Sequence, residues 1–416
     1  MNDVVRPQPR ALLAPDADVG RCVSTASGGC EGDHRPSRPL PTTPQGHGPN
    51  MLTRMHVEFG VSPWLDQVPG ENIAQDALDR LVAAGIRGLR VGRPGFGRAD
   101  ESEASHHDRF WDLVASGYTA LQARERLLTI GAQAACDMFG SVYRMSQGAD
   151  GFVSTPLGID PTRRADGTVT AACQVHLEVD RPNVIVAIPA AGSGVRALRE
   201  AVAAGCNVEA AAIFSIARYE QVLEAYQVGL EALVHRGGDP ATVHGFASFD
   251  LGSIDAEVEQ RIGASTGGRL GEVRGLAAVA QAMLVCEVFK QHFSSDRWKR
   301  LSRLGATPQR LIWAGADVGL APDQVQRYLY VARAAGVPDP AMMMPASTIT
   351  SLDNAAFAPT TPTLTHNEAL QVLGTLHDGG LDIEDISAIL EARSTTRSAV
   401  SLADASDQFS RWAERS

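Results

Sequence analysis

Lysine is almost missing from this chain. Its 416 residues contain two, Lys290 and Lys299, and every other one of the 37 basic side chains is arginine. A coding sequence rich in G and C accounts for such a bias, but the chemical consequence stands whatever the cause. Any step that needs a lysine amine has two candidates. Positive charge is short overall: 48 acidic residues leave a net charge of -11, which excludes the basic face that non-specific nucleic-acid or anionic-membrane binding requires. No run of eighteen apolar residues occurs, so no membrane-spanning helix is expected. The stretch Ala11-Leu12-Leu13-Ala14 is too short for the apolar region of a signal peptide. The six cysteines (Cys22, Cys30, Cys136, Cys173, Cys206 and Cys286) lack C-x-x-C spacing. They read as reduced thiols in a cytoplasmic protein, not as a disulfide frame or a zinc site.

What remains is an ordinary globular composition, 44% hydrophobic, long enough for one large α/β domain with a full core. Residues 1–50 are rich in Pro, Gly, Ser and Arg and show no apolar periodicity, so they are expected to be a disordered extension. A structured pattern begins at Met51, itself a candidate start. From 51 to 416, short apolar runs alternate with amphipathic stretches such as Ala191–Ala204 and Ile216–His235. The runs are Pro63–Asp66, Gly88–Gly92, Gly151–Pro156, Val184–Pro189, Val208–Phe214, Val243–Leu251, Arg310–Ala316 and Ala341–Pro345. Eight strands alternating with helices predict an α/β fold, a (β/α)8 TIM barrel whose reactive groups stand at the C-terminal strand ends. Two closing helices are expected after Thr365.

Several stretches carry a resemblance: SPWLDQ, AGIRGL, ADGFVS, VDRPNVIVAIPA, AGCNVEAAAIFSIARYEQVLEAYQVGLE, ASFDLGSIDAEV, SSDRWKRLSRLGATPQRLIWA and MMMPAST. In this order, from Met51 onward, they resemble the longer bacterial branch of the transaldolase family. That resemblance implies a lysine on the fourth strand, in a pattern I-K-I-P-A-T, which forms a Schiff base with a ketose phosphate. Here the letters are VAIPAA, and the lysine's position is Ala187, which has no nucleophile. Other implied positions differ too. The glutamate of strand three falls on Pro156 and the asparagine after strand two falls near Arg93. On strand five the asparagine falls on Glu209 and the threonine on Ala211, and a phosphate-binding arginine falls on Ser253. Asp66 on strand one and Ser248 on strand six match the family. Lys290 and Lys299 sit in helical runs, so neither is expected to replace the lost amine.

Strand alternation sets Glu209 with Ala211, and Ser248 with Asp250, on shared faces. Asp66, Glu209, Asp250 and Ser248 are the candidate catalytic residues, with Arg93 and Asp317 as substrate-binding candidates. Met342, Met343 and Met344 line or back the last strand with adaptable packing. Three chemistries fit. Asp66, Glu209 and Asp250 could hold Mg2+ that grips a phosphate or diphosphate. A carboxylate among apolar neighbours could act as general acid or base in an isomerisation, elimination or cyclisation. An apolar pocket with buried acids could steady a carbocation. Bland readings stand beside these. Asp66 could be merely inherited and hydrogen-bonded, Asp250 and Arg93 could face solvent, and Asp317 reads as a turn residue; an unpaired Glu209 inside a barrel would be costly, which favours a functional or paired role. The run DIED at Asp382–Asp385 reads as helix capping, and His106 and His107 as solvated residues.

Two functions follow. One is an enzyme of specialised metabolism, recruited to non-Schiff-base chemistry on a small phosphorylated or diphosphorylated substrate such as a sugar phosphate or prenyl diphosphate. The alternative is a pseudoenzyme kept as a binding or regulatory subunit. A monomer or homodimer is expected, with no nucleic-acid or membrane partner.

Overall fold

A computed structural model describes residues 50–69, 75–92, 104–157, 165–263, 268–315, 320–352 and 364–396. Eight strands run through them: β1 (Ser62–Pro69), β2 (Gly88–Gly92), β3 (Val153–Pro156), β4 (Val184–Pro189), β5 (Val208–Ile213), β6 (Gly245–Asp250), β7 (Arg310–Ala314) and β8 (Ala341–Met344). Each pairs in parallel with the next, and β8 closes on β1. At least one helix separates each strand from its successor. The expected (β/α)8 barrel is therefore the fold.

Period-two alternation divides each strand between two cores. Trp64, Phe152, Ile185, Phe246, Ile312, Ala341 and Met343 pack together inside the barrel, in the layered manner of closed parallel barrels. Their neighbours in sequence, including Leu65, Val153, Val186, Ala247, Trp313, Met342 and Met344, face outward beneath the helices. The three methionines of β8 are thus split, one inward and two outward. Gly88 makes room for the largest inward ring, since a Cβ there would stand 2.5 Å from the Trp64 indole.

The strand boundaries read from sequence agree within a few residues, and the differences have local causes. β6 begins at Gly245 because the His244 N–H is drawn to the Asn207 side chain at 2.8 Å. The helix after β4 runs Gly194–Ala203, three residues later than expected. Gly194 first closes a turn onto the Ala191 carbonyl, and a Cβ on Gly194 would overlap the Pro189 carbonyl oxygen at 1.7 Å. The helix Ile216–His235 matches its expected bounds, with Ser215 capping the Arg218 N–H. Two helices follow Thr365, His366–Asp378 and 383–396.

The N-terminal ends of the strands are fastened by charge. Asp150, just before β3, accepts from Ser62 Oγ at 2.8 Å, Arg87 Nε at 2.5 Å and Arg310 Nη2 at 2.9 Å. A cavity of about 310 Å3 opens on this face, lined in part by Phe152, His244, Phe246, Gln309 and Arg310. It lies at the end opposite to the one where barrel enzymes work. Among the described residues, no helix is long and apolar enough to cross a membrane.

Candidate active site

The inward positions above the apolar layer are polar, and they converge. Arg90 is the middle residue of β2, between the outward Leu89 and Val91. Its guanidinium crosses the barrel to Glu209 of β5, with Nη2 2.5 Å from Oε1, and reaches Asp66 of β1 with Nη1 3.4 Å from Oδ1. The Ser154 hydroxyl, from β3, donates to Glu209 Oε2, and the Ser248 hydroxyl, from β6, donates to Oε1. Glu209 therefore receives three donors from three other strands. The side chains of Glu209 and Asp66 are wholly buried, and that of Arg90 is 16% exposed.

A carboxylate in such a place is tolerable only with a counter-charge and hydrogen bonds. Burial works against the charge on Arg90. The fields of Glu209, Asp66 and Asp250, with the Glu209 hydrogen bond, outweigh it and hold the guanidinium protonated more firmly than usual. The cost of burying Glu209 is thus met by pairing.

Ala187 lies beside this cluster. In the sheet register it stands opposite Glu209 on one side and Pro156 on the other, and it is 5% exposed. Neither lysine is on a strand. Lys290 is exposed on the helix Ala277–Ser294, and Lys299 is exposed on Asp296–Ser302, paired with Asp296 at 2.8 Å. Since these are the chain's two lysines, no lysine amine stands on a barrel strand.

Asp250 ends β6 and caps the next helix, accepting the Ser253 N–H at 3.0 Å. It is 9% exposed, and its charge reaches Arg90, but the bond to Ser253 gives it a capping task that the sequence did not suggest. Ser253, at the position implied for a phosphate-binding arginine, is the residue so capped. Among the described residues, no three His, Cys, Asp or Glu side chains are placed to hold a metal ion. The Arg90 guanidinium bridges Asp66 and Glu209, two of the three acids considered for Mg2+. Arg93 and Asp317 lie outside the described residues, as do the side chains of His106 and His107. The DIED run caps as expected: Asp382 accepts the Glu384 N–H at 2.8 Å where the helix 383–396 begins.

Two members of the cluster, Arg90 and Ser154, were not singled out from sequence. The signal was there, since each is the inward residue at the middle of its strand, two positions from an inward neighbour, Gly88 or Phe152. The two strands bearing the buried acids also lose register near their C-terminal ends, β1 between Leu65 and Val68 and β5 between Ala210 and Ile213. Within the second break, Ala212 adopts a left-handed φ of 57°, which is uncommon for a residue with a side chain. Such breaks commonly re-aim side chains beside active sites.

Comparison with known proteins agrees with this architecture. The family model described as Transaldolase/Fructose-6-phosphate aldolase matches residues 99–406. A transaldolase from Renibacterium salmoninarum is 32% identical over 336 residues, covering 80% of this chain and 88% of that protein. One from Saccharopolyspora erythraea is 33% identical over 338 residues, covering 80% of this chain and 90% of that protein. Transaldolase 1 of Streptomyces avermitilis is 34% identical over 262 residues, covering 62% and 69%. An eight-stranded parallel barrel, matched by the family model over most of its length and by full-length relatives, places this chain in the transaldolase/fructose-6-phosphate aldolase family.

Proposed function

We propose that the chain is a transaldolase-fold enzyme that works without a lysine Schiff base. It would carry out an acid–base reaction, an isomerisation, cyclisation or lyase step, on a small phosphorylated or diphosphorylated substrate in specialised metabolism. One observation carries this reading. Both lysines are exposed on helices, and Ala187, where the sequence resemblance puts the family's lysine, stands beside a buried acid–arginine cluster. Without an amine no carbinolamine can form, and a positioned carboxylate supplies proton transfer instead.

The residues divide into roles. Asp66 is the proton-transfer group. Glu209, saturated by three donors, holds Arg90 in place, and Arg90 steadies negative charge that develops on the substrate. Ser248 relays a hydrogen bond, and Asp250 adds to the field on Arg90. Because Arg90 is already shared by two carboxylates, the cation that holds a phosphate comes from elsewhere, and Arg93 is the candidate, with Asp317 as a second substrate-binding candidate from sequence. Mg2+ would enter with a diphosphate rather than through a cage of three acids.

The test has two parts. Borohydride treatment with a ketose phosphate is expected to give no covalent adduct; an adduct would overturn the reading. A panel of sugar phosphates and prenyl diphosphates, with and without Mg2+, is expected to reveal turnover that Glu209→Gln lowers by about 100-fold or more. Unchanged turnover in that variant removes Glu209 from the site.

A second reading is favoured by the same saturation of Glu209. A network of two acids, one arginine and two hydroxyls is also how a barrel retained only as a binding subunit would neutralise its interior. Binding of a panel member with no turnover of any would select this reading.

A further inference from the structure

Away from the barrel interior, two thiols face each other. Cys173 lies on the helix Ala165–Val179, and Cys206 lies in the turn between the helix Gly194–Ala203 and β5. Their sulfurs are 3.4 Å apart, and both are unbonded thiols. A disulfide needs about 2.05 Å, so closure asks for a movement of a little over about 1 Å, within the reach of side-chain rotation. Cys173 is partly exposed, whereas Cys206 is 3% exposed. One thiol can therefore meet a solute while the other waits beneath it.

We propose that Cys173 and Cys206 form an oxidation site that hydrogen peroxide closes to a disulfide. The Cys173 thiolate attacks the peroxide, breaking the O–O bond, and becomes a sulfenic acid as water leaves. The Cys206 sulfur then attacks the Cys173 sulfur, the S–O bond breaks, and a second water departs with the Cys206 proton. The two sulfurs lose two electrons and the peroxide gains them. The electrostatics run the same way. The hydrogen bond with Cys206 pulls the Cys173 thiol below its usual range, favouring the nucleophilic thiolate, while the same contact and burial push Cys206 up. Cys136 and Cys286 offer a contrast, each buried and with its thiol raised by desolvation, so neither is expected to react.

The bond would tie one helix of the barrel's outer layer to the entrance of β5, three residues before Glu209. It would also close a loop spanning 33 positions of sequence, which limits the unfolded chain.

The experiment treats the reduced full-length chain with hydrogen peroxide, blocks remaining thiols, and maps tryptic peptides. The expected product joins the peptide bearing Cys173 to that bearing Cys206, with a loss of about 2 Da. Dithiothreitol should reverse it, and the melting midpoint should rise by about 2–5 °C while it persists. Cys22 and Cys30 lie in a separate part of the sequence and do not confuse the assignment. In Cys206→Ser, Cys173 should instead gain about 16 or 32 Da as it climbs the oxidation ladder. Recovery of Cys173 as a free thiol, or as a sulfinic acid with no 173–206 cross-link in the parent, overturns the proposal. The parent alone decides it, so the result stands even if the serine variant folds poorly.

Discussion

Arg90 holds the barrel interior together at the scale of single residues. It is the cation that lets Glu209 and Asp66 stay buried, and removing one partner of a buried pair costs about 3–5 kcal/mol because the other charge is left uncompensated. Arg90→Met is therefore expected to lower the unfolding free energy by about that amount, read from the midpoint of urea denaturation. Arg90→Met combined with Glu209→Gln should recover only part of the loss, since the charge of Glu209 goes with its partner while Asp66 keeps its own. A loss below about 1 kcal/mol in the single variant, as exposed pairs such as Arg54–Glu58 would give, would mean that water reaches the cluster and the site is not closed. Glu209 is legible in the sequence because the family resemblance puts it on strand five and strand alternation puts it on one face with Ala211. Arg90 is less legible: period two turns it inward with Gly88, but the carboxylates it meets lie on distant strands. Contacts between residues 119 positions apart leave no local mark.

At the scale of elements, the strands are clamped at the end away from the candidate site. Asp150 joins the starts of β1, β2 and β7 through Ser62, Arg87 and Arg310. Burial raises its carboxyl, but the Arg310 charge, the Arg87 hydrogen bond and charge, and the Ser62 hydroxyl more than offset this and hold it below its ordinary value of 3.8. A group depressed on folding stabilises fully above its unfolded value, and that stabilisation is lost as the pH falls through the folded value. Asp150→Asn should thus cost about 3 kcal/mol at pH 7. In urea titrations the gap from the parent should hold down to about pH 4 and narrow below it. A gap independent of pH would assign the loss to packing rather than charge. The element boundaries were legible from apolar runs and turn residues. The capping task of Asp250 was not, because a strand-end aspartate and a helix N-cap have the same letter in the same place.

The whole molecule was the most legible level, because eight apolar runs separated by amphipathic stretches admit few closed arrangements. The first helix among the described residues also begins where the sequence pattern begins. The pattern begins at Met51, and Met51, Leu52, Met55 and Phe59 are buried along one side of the first helix, Met51–Phe59. The residue before it does more than precede it. Asn50 Oδ1 accepts the Thr53 N–H at 2.9 Å, and Asn50 Nδ2 donates to the Ala84 carbonyl at 2.8 Å, fastening the helix to the turn before β2. An N-cap of this kind contributes about 1 kcal/mol. A chain trimmed to begin with Asn50 behind an initiating methionine should unfold at the same urea concentration as the full-length protein, since residues 1–49 carry no apolar periodicity with which to join the core. A chain beginning at Met51 should lose about 1 kcal/mol, as it keeps the buried side of the helix but not its cap. If trimming to Asn50 already costs several kcal/mol, the first 49 residues pack on the barrel, and the extension is part of the fold.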